Sequence, residues 1–186
     1  TALDAGGLVA FPTDTVYGVG ARVWDRAAVG RLYAVKERGR EKAIPILLDA
    51  ADALPLVTLD LPQAALRLAG RFWPGALTLV VKRRPELPDE VSLGPTVGVR
   101  VPDLGLTRTL LRSAGPLAVT SANISGRPSA CSADAVLEAL GGRIEMILDG
   151  GPTPGGVPST VVDCTEDPPR ILRAGPIAAA DIRAAV

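Results

Sequence analysis

Short runs of aliphatic and β-branched residues alternate with segments of helical periodicity, and this alternation restricts the possible folds most. The runs whose length and composition predict strands are 8–11, 44–48, 76–82, 97–101, 116–120, 145–148, 159–163 and 170–173. The segments that predict helices are 26–38, 62–72, 104–114, 133–140 and 178–185. Because some predicted strands follow one another directly, we expect an α/β fold with one twisted, open sheet of mixed direction and helices on both faces.

Capping, loop and linker signals in the sequence add the helix ends, a long loop and the number of domains to this prediction. Asp25 is placed to cap the N-terminus of the first helix, and Gly39 is expected to end that helix. The Gly- and Pro-rich stretch 149–160 is interpreted as a long functional loop rather than a linker. With 186 residues and no other linker-like stretch, the chain is expected to form a single domain over 1–186.

The absence of histidine and the balance of charges exclude several classes of function. With no histidine among 186 residues, the chain cannot form a Ser-His-Asp triad or a histidine-ligated metal site. Its 20 Lys and Arg residues against 20 Asp and Glu residues disfavour non-specific nucleic-acid binding, which needs excess positive charge. Cys131 and Cys164 match no metal-ligand spacing and are expected to be reduced thiols of a cytoplasmic protein. No apolar run approaches the ~20 residues that cross a bilayer, so no membrane partner is expected.

Two apolar strands end in dense sets of polar side chains. The stretches VAFPTDTVYGVG, Val9 to Gly20, and AVTSANISG, Ala118 to Gly126, each pass from a buried run into hydroxyl and amide groups. These groups could bond to their own turns, and for Asp14 a structural Asx-turn is the favoured interpretation. Alternatively, the hydroxyl and amide groups are donors collected at strand ends, where open α/β sheets place ligands. The side chains concerned are Thr13, Asp14, Thr15, Thr120, Ser121, Asn123 and Ser125.

A basic segment, YAVKERGREK, covers the end of the first predicted helix and the residues after it. Its cations include two of the three lysines in the chain and are Lys36, Arg38, Arg40 and Lys42. Cations near a helix C-terminus complement the helix dipole, and that alone would explain them. An arginine fork beside lysine point charges is also the combination that binds a polyphosphate.

Two arginines and a serine stand at strand positions that suit a ligand site. Arg100 lies among valines at positions 97, 99 and 101, so it faces the opposite side of the strand together with Gly98. There it either points to solvent or faces a cleft and pairs with a carboxylate. Ser159 begins a strand after the Gly- and Pro-rich loop, and Arg173 lies between a strand and a Gly-Pro turn. Residues in such places are more often structural than functional, so both interpretations stay open.

Seven segments, taken in order, resemble one protein family. They extend from about Gly6 to Ile177 and read FPTDTVYGVGA, KERGREKAIPILL, RFWPGALTLVV, VGVRVPD, TSANISGRPSA, PSTVVD and ILRAGPI. The set is similar to the YrdC/TsaC family, the L-threonylcarbamoyladenylate synthases, in the short form that lacks an additional C-terminal domain. The resemblance implies a twisted, open α/β sheet with a large, concave, basic ligand-binding face.

The resemblance also implies a reaction and its site residues. L-threonine, bicarbonate and ATP, with Mg²⁺ carried by the ATP and no dedicated protein metal site, would give threonylcarbamoyl-AMP and pyrophosphate. A transferase complex would then use the product to modify an adenosine beside the anticodon of tRNA. The residues that match the catalytic motifs are Lys36, Arg38, Ser121 and Asn123. The matched ATP contacts are Lys36, Arg38, Lys42, Thr96, Asn123, Cys131 and Arg173. The matched threonine contacts are Thr13 or Thr15, Arg100, Ser121 and Ser159.

The chain departs from the pattern of the family at four positions. Gly39 and Ala43 replace residues that are often proline, which would loosen the basic loop. Leu47 replaces a histidine that many members have near the threonine, so that contact must be missing or replaced. Cys131 replaces a serine or threonine near the nucleotide, and a thiol is a weaker hydrogen-bond partner than a hydroxyl.

Two alternative functions remain open at the level of the sequence. The first is an RNA-binding module of the same fold, with tRNA or another RNA on its concave face and no ATP chemistry. The second is a domain of a larger carbamoyltransferase that forms a carbamoyl adenylate from carbamoyl phosphate. The balanced charge argues against the first, and the PTDT and VGVRVP segments fit the free-standing synthase better than the second.

Overall fold

The computed structural model describes residues 1–154 and 156–186 and contains one large mixed sheet. Within these residues, nine strands belong to the sheet: β1 Val9–Phe11, β2 Gly18–Arg22, β3 Ile46–Leu47, β4 Leu77–Lys82, β5 Thr96–Arg100, β6 Leu117–Ser121, β7 Met146–Ile147, β8 Thr160–Asp163 and β9 Arg170–Arg173. The α-helices are α1 Arg26–Lys36, α2 Gln63–Phe72, α3 Gly105–Ala114, α4 Ala133–Leu140 and α5 Ala179–Arg183. A 3₁₀ helix covers Ala51–Leu56.

The strands lie in the order β7-β1-β2-β6-β3-β5-β4-β8-β9. Three neighbouring pairs are parallel, namely β1 with β7, β3 with β5 and β4 with β8. The other five pairs in this order are antiparallel. The expectation of a mixed sheet is therefore confirmed.

Two apolar cores lie on opposite faces of this sheet. Alternate strand residues separate into the two cores, as Ala10 does from its neighbours Val9 and Phe11. The larger core receives buried side chains from α1, α2, α4 and α5, and the smaller core receives Leu111 and Ala114 of α3. Helices thus cover both faces, as predicted. The second face is only partly covered, because the side chains of β4, β5 and β8 on that face line an open cavity.

Strand β2 was not predicted from the sequence, because it is rich in glycine. Glycine weakens a strand, and this segment contains Gly18 and Gly20, yet both residues pair with β6 in the sheet. A Cβ atom at these positions would lie 2.6 Å and 2.9 Å from the Val119 side chain, so the close packing on this face requires glycine.

Helix α1 also ends earlier than predicted, and this changes the position of Arg38. The helix stops at Lys36, and Glu37 adopts a left-handed conformation with φ of 53°. The backbone N–H of Arg38 then donates to the carbonyl of Tyr33 at 2.9 Å, which closes the helix end. Gly39 therefore does not end the helix. Arg38 lies beyond it and is free to turn toward the open face.

We predict that Asp25→Ala destabilises the fold by about 1 kcal/mol, because it removes the N-cap of α1. The Asp25 carboxylate accepts a hydrogen bond from the backbone N–H of Ala28 at 3.0 Å, as the sequence predicted. Asp25→Asn is the matched control, since the amide oxygen can still accept this bond. Urea unfolding should show the loss for the alanine variant and little loss for asparagine. Equal losses would contradict a capping role.

Candidate functional site

A cavity of about 320 Å³ lies on the face of the sheet that carries the smaller core, and no residue of the described helices is among its lining residues. Its floor is formed by side chains of β4, β5, β6 and β8, and its rim by the turn after β1 and the loop before β8. Seven of the predicted site residues line it: Thr13, Thr15, Arg38, Arg100, Ser121, Ser159 and Arg173. Residues from six separate segments therefore meet at one place.

The hydroxyl-rich turn after β1 forms one wall of the cavity. The Thr13 hydroxyl donates to the backbone carbonyl of Val16 at 2.7 Å, and its oxygen lies 2.9 Å from the Thr15 hydroxyl oxygen. Both threonine side chains are buried, so their hydroxyl groups are held in fixed positions. Thr13 holds the turn closed, whereas Thr15 is the one that also contacts an arginine.

Arg100 is the buried cation at the centre of the site. Its Nη2 donates to the Asp14 carboxylate at 2.6 Å, its Nη1 donates to the Thr15 hydroxyl at 3.0 Å, and its Nε donates to the carbonyl of Gly75 at 2.9 Å. Burial lowers the pKa of the guanidinium, and the Asp14 charge opposes that shift. Of the two alternatives left open by the sequence for Arg100, the structure has the one in which it faces a cleft beside Gly98 and pairs with a carboxylate. Asp14 is thus the ion-pair partner of Arg100, rather than an Asx-turn residue.

Ser159 and Arg173 form a second polar group on the opposite wall. The Arg173 guanidinium donates to the Ser159 carbonyl at 2.8 Å through Nη2 and 3.1 Å through Nε, and also to the Ser159 hydroxyl at 3.2 Å. The Ser159 hydroxyl oxygen lies 2.7 Å from the Thr78 hydroxyl oxygen. Thr78 lines the cavity from the second position of β4, and it was not among the site residues predicted from the sequence.

Arg38 completes a set of three arginines around the cavity. Its Nε and Nη2 donate to the carbonyls of Lys42 and Ala43 at 3.2 Å and 2.9 Å, which folds the basic loop against the site. Within the described part of the chain, neither Arg38 nor Arg173 forms a salt bridge. Burial lowers the pKa of Arg173, and the charges of Arg100 and Arg38 lower it further. This mutual repulsion favours an anion that all three can contact.

Lys36 lies beneath the cavity rather than in its wall. Its ammonium group donates to the carbonyls of Ser121 and Asn123, and its side chain is buried. The Asn123 amide in turn donates to the carbonyls of Ile124 and Arg127, each at 2.8 Å. Lys36 and Asn123 therefore shape the loop that follows β6. Ser121 alone of these three lines the cavity.

We predict that Lys36 makes stability depend on pH above neutrality. Burial lowers its pKa from 10.5 to about 7, and the Arg38 charge contributes. Between these values the unfolded chain binds a proton that the folded chain does not, so the free energy of unfolding rises with pH across this window. Below about pH 7 the folded chain carries the buried charge and its full cost. As the pH rises from about 7 toward 10.5, the folded chain has lost this proton and the cost is progressively relieved.

Urea unfolding of wild type and Lys36→Met, from about pH 7 to about pH 9, measures this effect as the difference between their free energies of unfolding. The stability advantage of wild type over this variant should grow as the pH rises. Lys42→Met is the matched control, because it removes an exposed lysine from the adjacent loop. A difference for Lys36→Met that stays constant with pH would contradict the prediction.

The remaining predicted residues lie outside the cavity lining. Lys42 is exposed in the basic loop, and Thr96 is half-buried at the start of β5, on the same side as Gly98. The Cys131 carbonyl accepts a hydrogen bond from the backbone N–H of Thr153 at 2.8 Å, so Cys131 packs beneath the loop that precedes β8. Their contacts with a ligand stay predictions.

The loop at 149–160 borders the site, as its interpretation as a functional loop requires. The Tyr17 hydroxyl donates to the carbonyl of Gly151 at 2.8 Å, and the backbone N–H of Gly156 donates to the backbone carbonyl of Thr15 at 3.1 Å. Pro158 and Ser159 line the cavity directly. Gly155, which belongs to the same predicted loop, lies outside the described residues.

The described helices and acidic side chains bear on membrane and metal binding. None of the helices there has the length and apolarity that a membrane span requires. In the same residues, no three Cys, Asp or Glu side chains come together in a group that could hold a metal ion.

Comparison with known proteins gives consistent matches. A family model described as Sua5/YciO/YrdC, telomere recombination, matches residues 1–175. A Bacillus subtilis protein named threonylcarbamoyl-AMP synthase is 45% identical over 184 residues, which are 96% of this chain and 53% of that protein. A Mycobacterium leprae relative is 44% identical over 182 residues, which are 97% of this chain and 83% of the relative.

A solved structure matches equally well. The crystal structure of Pyrococcus abyssi Sua5 complexed with L-threonine has a TM-score of 0.96 and 42% sequence identity, and the match covers 99% of this chain and 55% of that one. The chain thus spans about half the length of the Bacillus and Pyrococcus proteins.

Proposed function

The chain belongs to the Sua5/YciO/YrdC family, and on that premise we propose that it is an L-threonylcarbamoyladenylate synthase. It would convert L-threonine, bicarbonate and ATP to threonylcarbamoyl-AMP and pyrophosphate. One observation carries the proposal: three arginines and the hydroxyl groups of Thr15 and Ser159 converge on one open cavity. The same fold in the Pyrococcus protein was solved with L-threonine.

The chemistry of this reaction suits the residues in the cavity. The amine of threonine and carbon dioxide form a carbamate, and a carbamate oxygen attacks the α-phosphorus of ATP. The bond from that phosphorus to the bridging oxygen breaks, and pyrophosphate leaves. The substrate supplies the nucleophile, so the protein needs no serine, cysteine or histidine nucleophile. Its task is to position the reactants and stabilise phosphate charge.

The geometry suggests how the two substrates share the cavity. We assign the amino acid to the region of Thr15, Arg100 and Ser159, where buried donors are already fixed. We assign the phosphates to Arg38 and Arg173, which have no carboxylate partner among the described residues. Mg²⁺ would arrive on the phosphates of ATP. Lys36 and Asn123 would act by holding the loop that presents Ser121.

Leu47 bears on the selectivity for the amino acid. It lines the cavity and is 5% exposed, at the position where the resemblance implies a histidine. An aliphatic side chain cannot donate a hydrogen bond to the substrate, so we infer that its contact with threonine is apolar. Selectivity would then depend on Thr15, Arg100 and Ser159.

Pyrophosphate release tests the proposal by omission of substrates. The synthase should release pyrophosphate from ATP only when both L-threonine and bicarbonate are present. Release that does not depend on threonine would refute the assignment. Release that requires carbamoyl phosphate would favour the carbamoyltransferase domain. RNA binding with a steep salt dependence and no ATP turnover would favour the RNA-binding module.

The cellular setting follows from the proposed product. Threonylcarbamoyl-AMP would pass to a transferase complex that modifies tRNA, and direct contact with tRNA belongs to the same proposal. Cys131 and Cys164 are both free, which suits the cytoplasmic location that we propose.

A further inference from the structure

Thr78 lies in β4, between the strand that carries Arg100 and the strand that follows Ser159. It pairs with Val161 of β8, which pairs with Arg173 of β9. On its other side, the next residue of β4, Leu79, pairs with Val99, the residue before Arg100. Thr78 therefore lies in the row that connects Arg100 to Arg173, on the face that carries the cavity.

The side chain of Thr78 is buried and its orientation is fixed. It is 3% exposed, and its methyl carbon would be 3.1 Å from a Cβ atom at Gly98. Glycine at this position therefore leaves room for the methyl group. The Thr78 hydroxyl oxygen lies 2.7 Å from that of Ser159, which is also buried.

The donors and acceptors at Ser159 indicate which hydroxyl donates in its contact with Thr78. A serine hydroxyl has one proton and two lone pairs, and a guanidinium can only donate. The Arg173 donation therefore uses one lone pair of Ser159. If Thr78 donates to the other lone pair, the Ser159 proton is left to point into the cavity. A ligand carboxylate accepts only, so its presence selects this arrangement.

We propose that Thr78 is a positioning residue that turns the Ser159 hydroxyl into a donor for the carboxylate of the amino-acid substrate. This inference rests on the proposed function for the identity of the substrate. Thr78 acts on the substrate through Ser159. Binding of the ATP phosphates, which we assign to Arg38 and Arg173, does not depend on Thr78. Its loss should therefore weaken the use of threonine and leave the use of ATP nearly unchanged.

Steady-state pyrophosphate release with Thr78→Val tests the proposal. The KM for L-threonine should rise roughly ten- to a hundredfold, the effect of one lost hydrogen bond to a charged group, and the KM for ATP should stay within about twofold. Thr78→Ser restores the hydroxyl and should recover most of the threonine KM. Thr58→Val is the matched control, because Thr58 is buried and donates to the Leu54 carbonyl away from the cavity.

A double-mutant cycle separates this role from a general packing effect. In a Ser159→Ala background, Thr78→Val should add almost no further loss, because the group it positions is gone. A rise in both KM values alike, additive losses in the cycle, or no recovery with Thr78→Ser would overturn the proposal. If Thr78→Val folds poorly, Thr78→Ala supplies the same loss of the hydroxyl with a smaller side chain.

The outcome is distinguishable from failure of the proposed function. Turnover of the wild type that depends on threonine tests the function alone. Titration calorimetry of L-threonine into wild type and Thr78→Val tests the positioning role even without turnover. Equal affinities of the two proteins for L-threonine would refute that role.

Discussion

Arg100→Met is expected to have the largest effect of any single substitution, on both stability and activity. It removes one partner of a buried ion pair and leaves the Asp14 carboxylate uncompensated, which costs about 3–5 kcal/mol. It also removes the donor to Thr15 at the proposed amino-acid site. We expect kcat/KM for L-threonine to fall by about a thousandfold or more, since a buried charged contact is lost in the transition state.

A double variant separates the two effects of Arg100. Asp14→Asn combined with Arg100→Met removes both charges, so stability in urea should largely recover. Activity should not recover, because the guanidinium that would bind the amino-acid substrate is still missing. Recovery of both properties together would mean that Arg100 serves the fold alone. Arg100→Lys should retain only part of the activity, since an ammonium cannot reproduce the three-way contact of the guanidinium.

Arg38→Gln is expected to have the next largest effect, on the use of ATP. Arg38 lines the cavity and has no carboxylate partner among the described residues, so its charge is available to a phosphate. Removal of one such group typically costs roughly a hundredfold in rate, about 3 kcal/mol. Most of this loss should appear in kcat and in the KM for ATP.

Arg40→Gln is the matched control for that prediction. Arg40 lies two residues away, is exposed and is not part of the cavity lining. Arg40→Gln should change kcat and the KM for ATP by no more than about threefold each, which is the scale of the effect of an exposed charge. Similar losses for Arg38→Gln and Arg40→Gln would show that the basic loop attracts ATP only through its overall charge.

Much of the fold could be predicted because strand alternation is a local property. The eight predicted strands are all present, although most are shorter than their apolar runs. The orientation of Arg100 followed from its valine neighbours and is confirmed. Strand β2 was missed because its glycines are required by packing against Val119, a residue about 100 positions away in the chain.

The parts of the site that the sequence could not reveal depend on distant pairings. Thr78 is one polar residue in an apolar strand, and its role appears only when β8 brings Ser159 beside it. The ammonium group of Lys36 binds the carbonyls of Ser121 and Asn123, a contact between distant residues that the sequence does not show, and its contact with ATP stays a prediction. The end of α1 depended on the left-handed conformation of Glu37, which propensity would assign to Gly39.

Transfer of labelled carbon from bicarbonate tests the central claim most directly. The protein is incubated with L-threonine, ATP and isotopically labelled bicarbonate, and the products are analysed by mass spectrometry. The synthase should form threonylcarbamoyl-AMP that carries the label, with one pyrophosphate released for each molecule formed. Pyrophosphate without a labelled adenylate, or an adenylate that forms without threonine, would contradict the account.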